Sequence, residues 1–143
     1  MIETKWFYYT SDLYDVLTVR QAVFQDKVLG QKDDDFYGYH VVVYDSGKPA
    51  STGRLTVKDG IYEISGVGTV EEYRNHGYGD LVLRMLIRRS FDLGADQVVA
   101  RVPENLMHYF LRLDFVYRGK VFQRERPFIL MSRHEDVVGV CSR

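Results

Sequence analysis

The sequence predicts an α/β domain: a mixed, mostly antiparallel sheet with flanking helices and one central parallel strand–helix–strand unit. Three observations lead there. Two turn signals, Ser46-Gly47-Lys48 and Lys58-Asp59-Gly60, separate short runs rich in β-branched and aromatic residues, the signature of an antiparallel meander. A strand-like run, "IYEISGVGTV", then passes through a glycine-rich turn into a helix-like run, "DLVLRMLIRRSFDL", and on into the buried-strand pattern "QVVARV", an order that calls for a parallel crossover. Finally, 143 residues without a repeat, low-complexity stretch or linker suit one domain over 1–143.

The elements follow in order. "KWFYYT" at 5–10 is short and aromatic and reads as a strand. Ser11 or Asp12 then caps a helix whose Leu13, Val16, Leu17, Val23 and Phe24 recur at helical spacing, fading near Gly30. "GQKDDDF" at 30–36 is a polar loop; its Asp33-Asp34-Asp35 run reads first as a solvated turn and second as a lure for a cationic amine. The meander "YHVVVYD", "PASTGRLTV", "IYEISGVGTV" comes next. Gly66 and Gly68 weaken a plain strand and suggest a bulge or a close backbone approach. Leu83, Leu86, Ile87 and Phe91 form a helical stripe with Arg84, Arg88 and Arg89 on other faces, and Gly94 stops the helix. After the strand at 97–102, "ENLMHYFLRL" reads as a short helix just beyond Pro103, and "FVYRGKVF" and "PFILMS" as two closing strands. Residues 133–143 read as a tail with no assigned structure.

Composition narrows the function. Nineteen Lys+Arg against 20 Asp+Glu give a formal charge of −1, which offers no global field for nucleic acid. The single cysteine, Cys141, permits no disulfide framework and no cysteine zinc cluster, and it fits a cytoplasmic location. No His/Asp/Glu spacing resembles a metal site. The start lacks the pattern of a signal peptide, and no apolar stretch is long enough to span a membrane. His40, flanked by apolar strand residues, reads as a neutral, hydrogen-bonded core histidine, and His108 as a surface residue.

The chemistry concentrates in Arg74-Asn75-His76-Gly77-Tyr78-Gly79. A strand that turns through glycines into a helix N-terminus makes an anion site, because the first N–H groups of the helix have no internal acceptor and the helix dipole adds partial positive charge. Arg74 and His76 add charge. A P-loop requires GxxxxGK[ST], and no Lys-Ser or Lys-Thr follows here. A dinucleotide fingerprint requires a third glycine where Val82 stands. The hexapeptide does satisfy [RQ]-x-x-G-x-[GA].

With the hexapeptide at its centre, "VGTVEEYRNHGYGDLVLRMLIRRSFDLGADQVVARV" resembles the central block of the GCN5-related N-acetyltransferases. "VRQAVFQ", "GRL" at 53–55 and "YFLRLDF" stand where that family has related segments, so the likeness covers about residues 5–132. The resemblance implies acetyl-coenzyme A as acyl donor. It assigns the pyrophosphate to main-chain N–H groups of Arg74, Asn75, His76, Gly77, Tyr78 and Gly79, and the pantetheine arm to Val67, Gly68 and Thr69. It implies direct transfer to an amine, small molecule or peptide, with donor and acceptor bound together, and a homodimer is common among such proteins. A lysine-like amine is neutral in only about one molecule in 2,500 at neutral pH, so a base is useful. The resemblance points to Glu63, six residues before Thr69. Period-two alternation sets Glu63, Ser65, Val67 and Thr69 on one face unless a bulge resets the phase. The family's usual thiolate-protonating tyrosine corresponds to Phe110 here, and Tyr109 is the neighbouring candidate. Pro103 replaces an amide side chain common in the family, and Asn105 is out of register. These departures keep two alternatives open: a non-catalytic acyl-coenzyme A sensor or partner module, and a transferase for a different acyl-coenzyme A.

Overall fold

The structure is a computed structural model that describes residues 1–25 and 33–135. Among these, seven strands form one sheet in the order β1-β2-β3-β4-β5-β7-β6. The strands are β1 (Ile2–Tyr8), β2 (Tyr39–Asp45), β3 (Lys48–Lys58), β4 (Ile61–Thr69), β5 (Gln97–Val102), β6 (Val116–Gln123) and β7 (Arg126–His134). Every pairing is antiparallel except β4 with β5. The helices are α1 (Tyr14–Phe24), α2 (Asp34–Tyr37), α3 (Tyr78–Asp92) and α4 (Met107–Arg112). Both hairpin signals are real turns: Ser46-Gly47 and Asp59-Gly60 all take positive φ, as a two-residue turn between twisted strands demands. Arg133 and His134, both assigned to the tail by sequence, instead close β7, where they pair with Val98 and Gln97; residues 136–143 lie outside the described residues.

The sheet divides two cores. Alternation along β2 shows this: Val41 and Val43 face α3 and join Leu55, Ile64, Val82, Leu86, Val98 and Met131, whereas Val42 faces α1 with Leu13, Val16 and Tyr44. The stripe read from the α3 sequence is the buried face of that helix, with Phe91 half-buried at its margin.

Two local readings are corrected. Neither Ser11 nor Asp12 caps α1. Leu13 takes the cap position because its side chain is buried in the α1-side core, and packing there moves the helix start inward. The helix ends at Phe24 on a left-handed Gln25, and Gly30 lies outside the described residues. Nor is the aspartate run a solvated turn. Asp34 begins α2 and is buried, and it pairs with Lys58. Asp35 pairs with Arg20 at 2.9 Å and Arg54 at 2.8 Å.

Candidate functional site

β4 is bonded differently along its two halves. Tyr62, Glu63 and Ile64 pair with Val98, Val99 and Ala100 of β5, and the parallel pairing stops there. Beyond Ile64 the strand keeps β3 as its neighbour, and β5 keeps β7, its partner from Gln97 to Val102, on its other edge. The parting coincides with a bulge. Thr52 and Arg54 of β3 face Gly68 and Ser65, so Gly66 and Val67 together oppose the single residue Gly53. Gly66 has φ 64°, which a side chain other than glycine adopts only with strain. The inserted residue bends β4 away from β5 and leaves one edge of 65–69 without a strand partner.

The bulge also resets the phase, which corrects the single-face expectation. Val67 points toward α3, where its Cγ2 would stand 3.1 Å from a Cβ on Gly53, beside Val82 and Leu86. Thr69 lies on the same side, its Oγ1 beneath Gly79. Ser65 instead accepts a hydrogen bond from Arg54 Nε at 3.1 Å on the α1 side, and alternation puts Glu63 with it. Gly68 also faces α1: a Cβ there would meet Val23 Cγ1 at 2.9 Å. Its small size makes room for a helix, while Gly66 carries the bulge.

The open edge of β4 leads into the glycine turn. Asn75 (φ 67°) and Gly77 (φ 81°) are left-handed, and Gly77 is the cap of α3. Leu81 N–H is the first to bond within the helix, to Gly77 O at 3.0 Å, so the N–H groups of residues 77–80 have no acceptor in their own helix. A Cβ on Gly77 would meet nothing within 4 Å, so the turn presents bare backbone to open space. The side chains of the motif brace this turn. Arg74 Nε donates to Thr69 O at 3.1 Å, and the residue is exposed. His76 Nδ1 donates to the carbonyls of Arg74 (2.9 Å) and Tyr73 (3.1 Å). Tyr78 turns inward, and its hydroxyl donates to Asp45 at 2.7 Å; that bond holds the phenol above its usual pKa, so Tyr78 remains a protonated strut.

Glu63 stands where the two strands part. Its oxygens receive Arg101 Nε at 2.8 Å and Arg101 Nη2 at 3.0 Å, so a bidentate pair bridges β4 to β5 at the apex of the opening. Sequence reading missed Arg101, although a lone cation inside "QVVARV" was a usable signal. Behind the apex lies a buried polar hub, also missed. Asp35 receives both Arg20 and Arg54, and the fully buried His40 donates Nε2–H to Asp35 O at 2.8 Å. Burial pushes the His40 imidazole down to about 4, so it is the neutral core histidine expected. Burial alone would raise Asp35, but the hydrogen bonds and charges of Arg20 and Arg54 outweigh it and hold the carboxyl below its ordinary value. With Asp34 and Asp35 engaged, the aspartate run is not an open acidic surface.

α4 separates the two aromatic candidates. Phe110 is buried edge-on against Phe115, with centroids 5.2 Å apart. Tyr109 is exposed, its ring 4.1 Å from His108 and 5.0 Å from the Arg112 guanidinium. Pro103 opens a single 3₁₀ turn, Glu104–Leu106, that holds Asn105 at the surface ahead of α4. Among the described residues no cluster of three potential metal ligands occurs, and no helix is long and apolar enough to cross a membrane.

Comparison with known proteins agrees with this geometry. A model of the acetyltransferase (GNAT) family matches residues 3–115. The uncharacterized N-acetyltransferase YjcF of Bacillus subtilis (strain 168) is 26% identical over 103 residues, 68% of this chain and 74% of that protein. Among solved structures, Escherichia coli ElaA superposes with a TM-score of 0.81 at 20% identity, covering 94% of this chain and 100% of its own. The ribosomal-protein-S18-alanine N-acetyltransferase of Escherichia coli gives 0.75 at 15%, covering 97% of each chain. A Bacillus subtilis acetyltransferase in complex with CoA gives 0.71 at 15%, covering 94% and 99%. At these identities the structures share the fold with this chain.

Proposed function

Since this chain belongs to the GNAT acetyltransferase family, we propose that it moves the acetyl group of acetyl-coenzyme A to an amine acceptor by direct transfer in a ternary complex. The observation that carries this reading is a pair of unpaired backbone stretches, the open edge of β4 and the N–H groups of residues 77–80 at the N-terminus of α3, joined by a short 3₁₀ turn over Glu71–Tyr73. Amide-bearing pantetheine is the chemistry that an unpaired strand edge accepts, and Val67, Gly68 and Thr69 supply that edge. A pyrophosphate is what a bare glycine turn with outward N–H groups accepts, and the stretch from Asn75 to Gly79 supplies it; the main-chain N–H of Arg74, expected to join them, instead donates to Glu71 O at 3.2 Å, which leaves Arg74 its side-chain charge. A fold neighbour that was solved with CoA supports the same use.

The residues then divide the work. The acceptor nitrogen attacks the thioester carbon, and a main-chain N–H on the open edge stabilises the oxyanion. Glu63, held in place by Arg101, takes a proton from the amine through a lone pair the guanidinium leaves free, directly or through one water. The C–N bond forms, the C–S bond breaks, and the thiolate leaves. With a thiol pKa of about 8.5 by analogy with cysteine, that thiolate needs little help, so Tyr109 as proton donor contributes modestly. The acceptor is a small molecule or peptide amine.

The buried Phe110 favours a second reading, an acyl-coenzyme A-binding module without turnover. Release of coenzyme A over an amine panel, with acetyl- and succinyl-coenzyme A compared, separates the two. Turnover with the acetyl donor supports the transferase. Binding without turnover on any amine supports the module, and faster turnover with another donor replaces the acetyl group.

A further inference from the structure

The two ends of the sheet are built differently. β6 closes one end with Arg118, Gly119 and Lys120 at its centre and a register shift between Tyr117 and Gly119. Antiparallel self-pairing centred on any of those three residues sets cation against cation, which keeps that edge from joining a copy of itself. β1 closes the other end. Among the described residues it pairs with β2 alone, in unbroken register over Ile2–Tyr8, and it has no bulge and no proline. Its side chains alternate regularly. Lys5 lies over the Tyr44 ring at 5.2 Å on the α1 side, with Glu3 beside it by alternation, and Trp6 lies under the Arg89 guanidinium at 4.0 Å on the α3 side, with Ile2. Ile2, Glu3, Thr4 and Lys5 are all exposed.

From this pattern we propose that β1 is a dimerisation edge that pairs antiparallel with β1 of a second copy, about a twofold axis at Thr4, giving one continuous sheet. In that register Glu3 of each copy faces Lys5 of the other on the α1 side, and Ile2 faces Trp6 on the α3 side. Both charges are matched twice and the apolar residues meet each other. The same-face registers on either side fail. Centring on Glu3 opposes two carboxylates, and centring on Lys5 opposes two ammonium groups, each destabilising. The strand therefore specifies its own register as well as its partner. A single strand pair is smaller than the ~1,600 Å² of a standard interface, so the dimer forms in a concentration-dependent way.

Sedimentation velocity from low micromolar to millimolar concentration tests this on three proteins. The native chain is expected to move from monomer to dimer. Glu3→Lys sets a second cation against Lys5 at both matched positions and is expected to weaken the dimer at least about tenfold. Adding Lys5→Glu to it restores opposite charges and is expected to restore the dimer. A native chain that stays monomeric throughout overturns the proposal, whether a tail or nothing covers the edge. So does a dimer indifferent to Glu3→Lys, or a double variant that stays as weak as the single one.

Discussion

The two halves of β4 make an instructive pair. Tyr62–Ile64 is bonded to strands on both sides and carries a buried isoleucine; residues 65–69 are bonded on one side and lead, through a 3₁₀ turn, to the glycine turn. The same strand has two partners over three residues and one over the next five. One inserted residue at Gly66 separates them. Unmade ladder bonds are unfavourable when buried, and under the proposed function coenzyme A completes them beside the helix N-terminus.

The apex between the halves should show the largest effect. Glu63→Gln is expected to slow acetyl transfer about 10²-fold at low pH, where the amine is protonated, and less as the pH rises, with coenzyme A affinity unchanged. A pH–rate profile identical to the native one removes Glu63 from the mechanism.

The buried hub, which meets β4 through Arg54 at Ser65 where the halves join, carries a pH signature of its own. His40 stays neutral in the fold down to about 4, against 6.5 when exposed. Between those values the unfolded chain binds the extra proton, so stability rises with pH through that window. It is lost as pH falls from 6.5 toward 4, by up to about 3 kcal/mol. The contribution of Asp35, held below 3.8, is lost only at lower pH. Urea midpoints across the window check this, and a flat profile contradicts it.

Two glycines with nearly equal φ set the open half apart from the closed one. Gly77 (81°) lies beyond the open half, Gly60 (78°) at the closed end, and a Cβ added to either would have no neighbour within 4 Å. Alanine at either site costs about 1–2 kcal/mol of backbone strain. Only Gly77→Ala is expected to weaken coenzyme A, about tenfold by titration calorimetry; equal weakening by Gly60→Ala would mean that the two ends are not distinct. Smallest of all, Tyr109→Phe should change turnover less than about threefold, since the thiolate leaves largely unaided.

How far the sequence reveals this depends on where the information lies. The hairpins, the α3 stripe and the glycine turn are local patterns, and each forms where its residues indicate. The strand paired on both sides and the strand paired on one look alike in "IYEISGVGTV"; two glycines marked the bulge, but its effect on phase needed the partner strand. Arg101, Arg54 and Arg20 escaped notice because their partners are distant in sequence: 38 residues separate Arg101 from Glu63. The aspartate run misled for the same reason, since its neutralising arginines come from α1 and β3.

Amide hydrogen exchange with and without saturating coenzyme A reads the unpaired backbone itself. New protection is expected at the amides of 66–69 and 77–80, with little change along Ile61–Ile64. Binding that leaves those amides unprotected, or no binding at all by the folded protein, would contradict a site built from open strand edge and glycine turn.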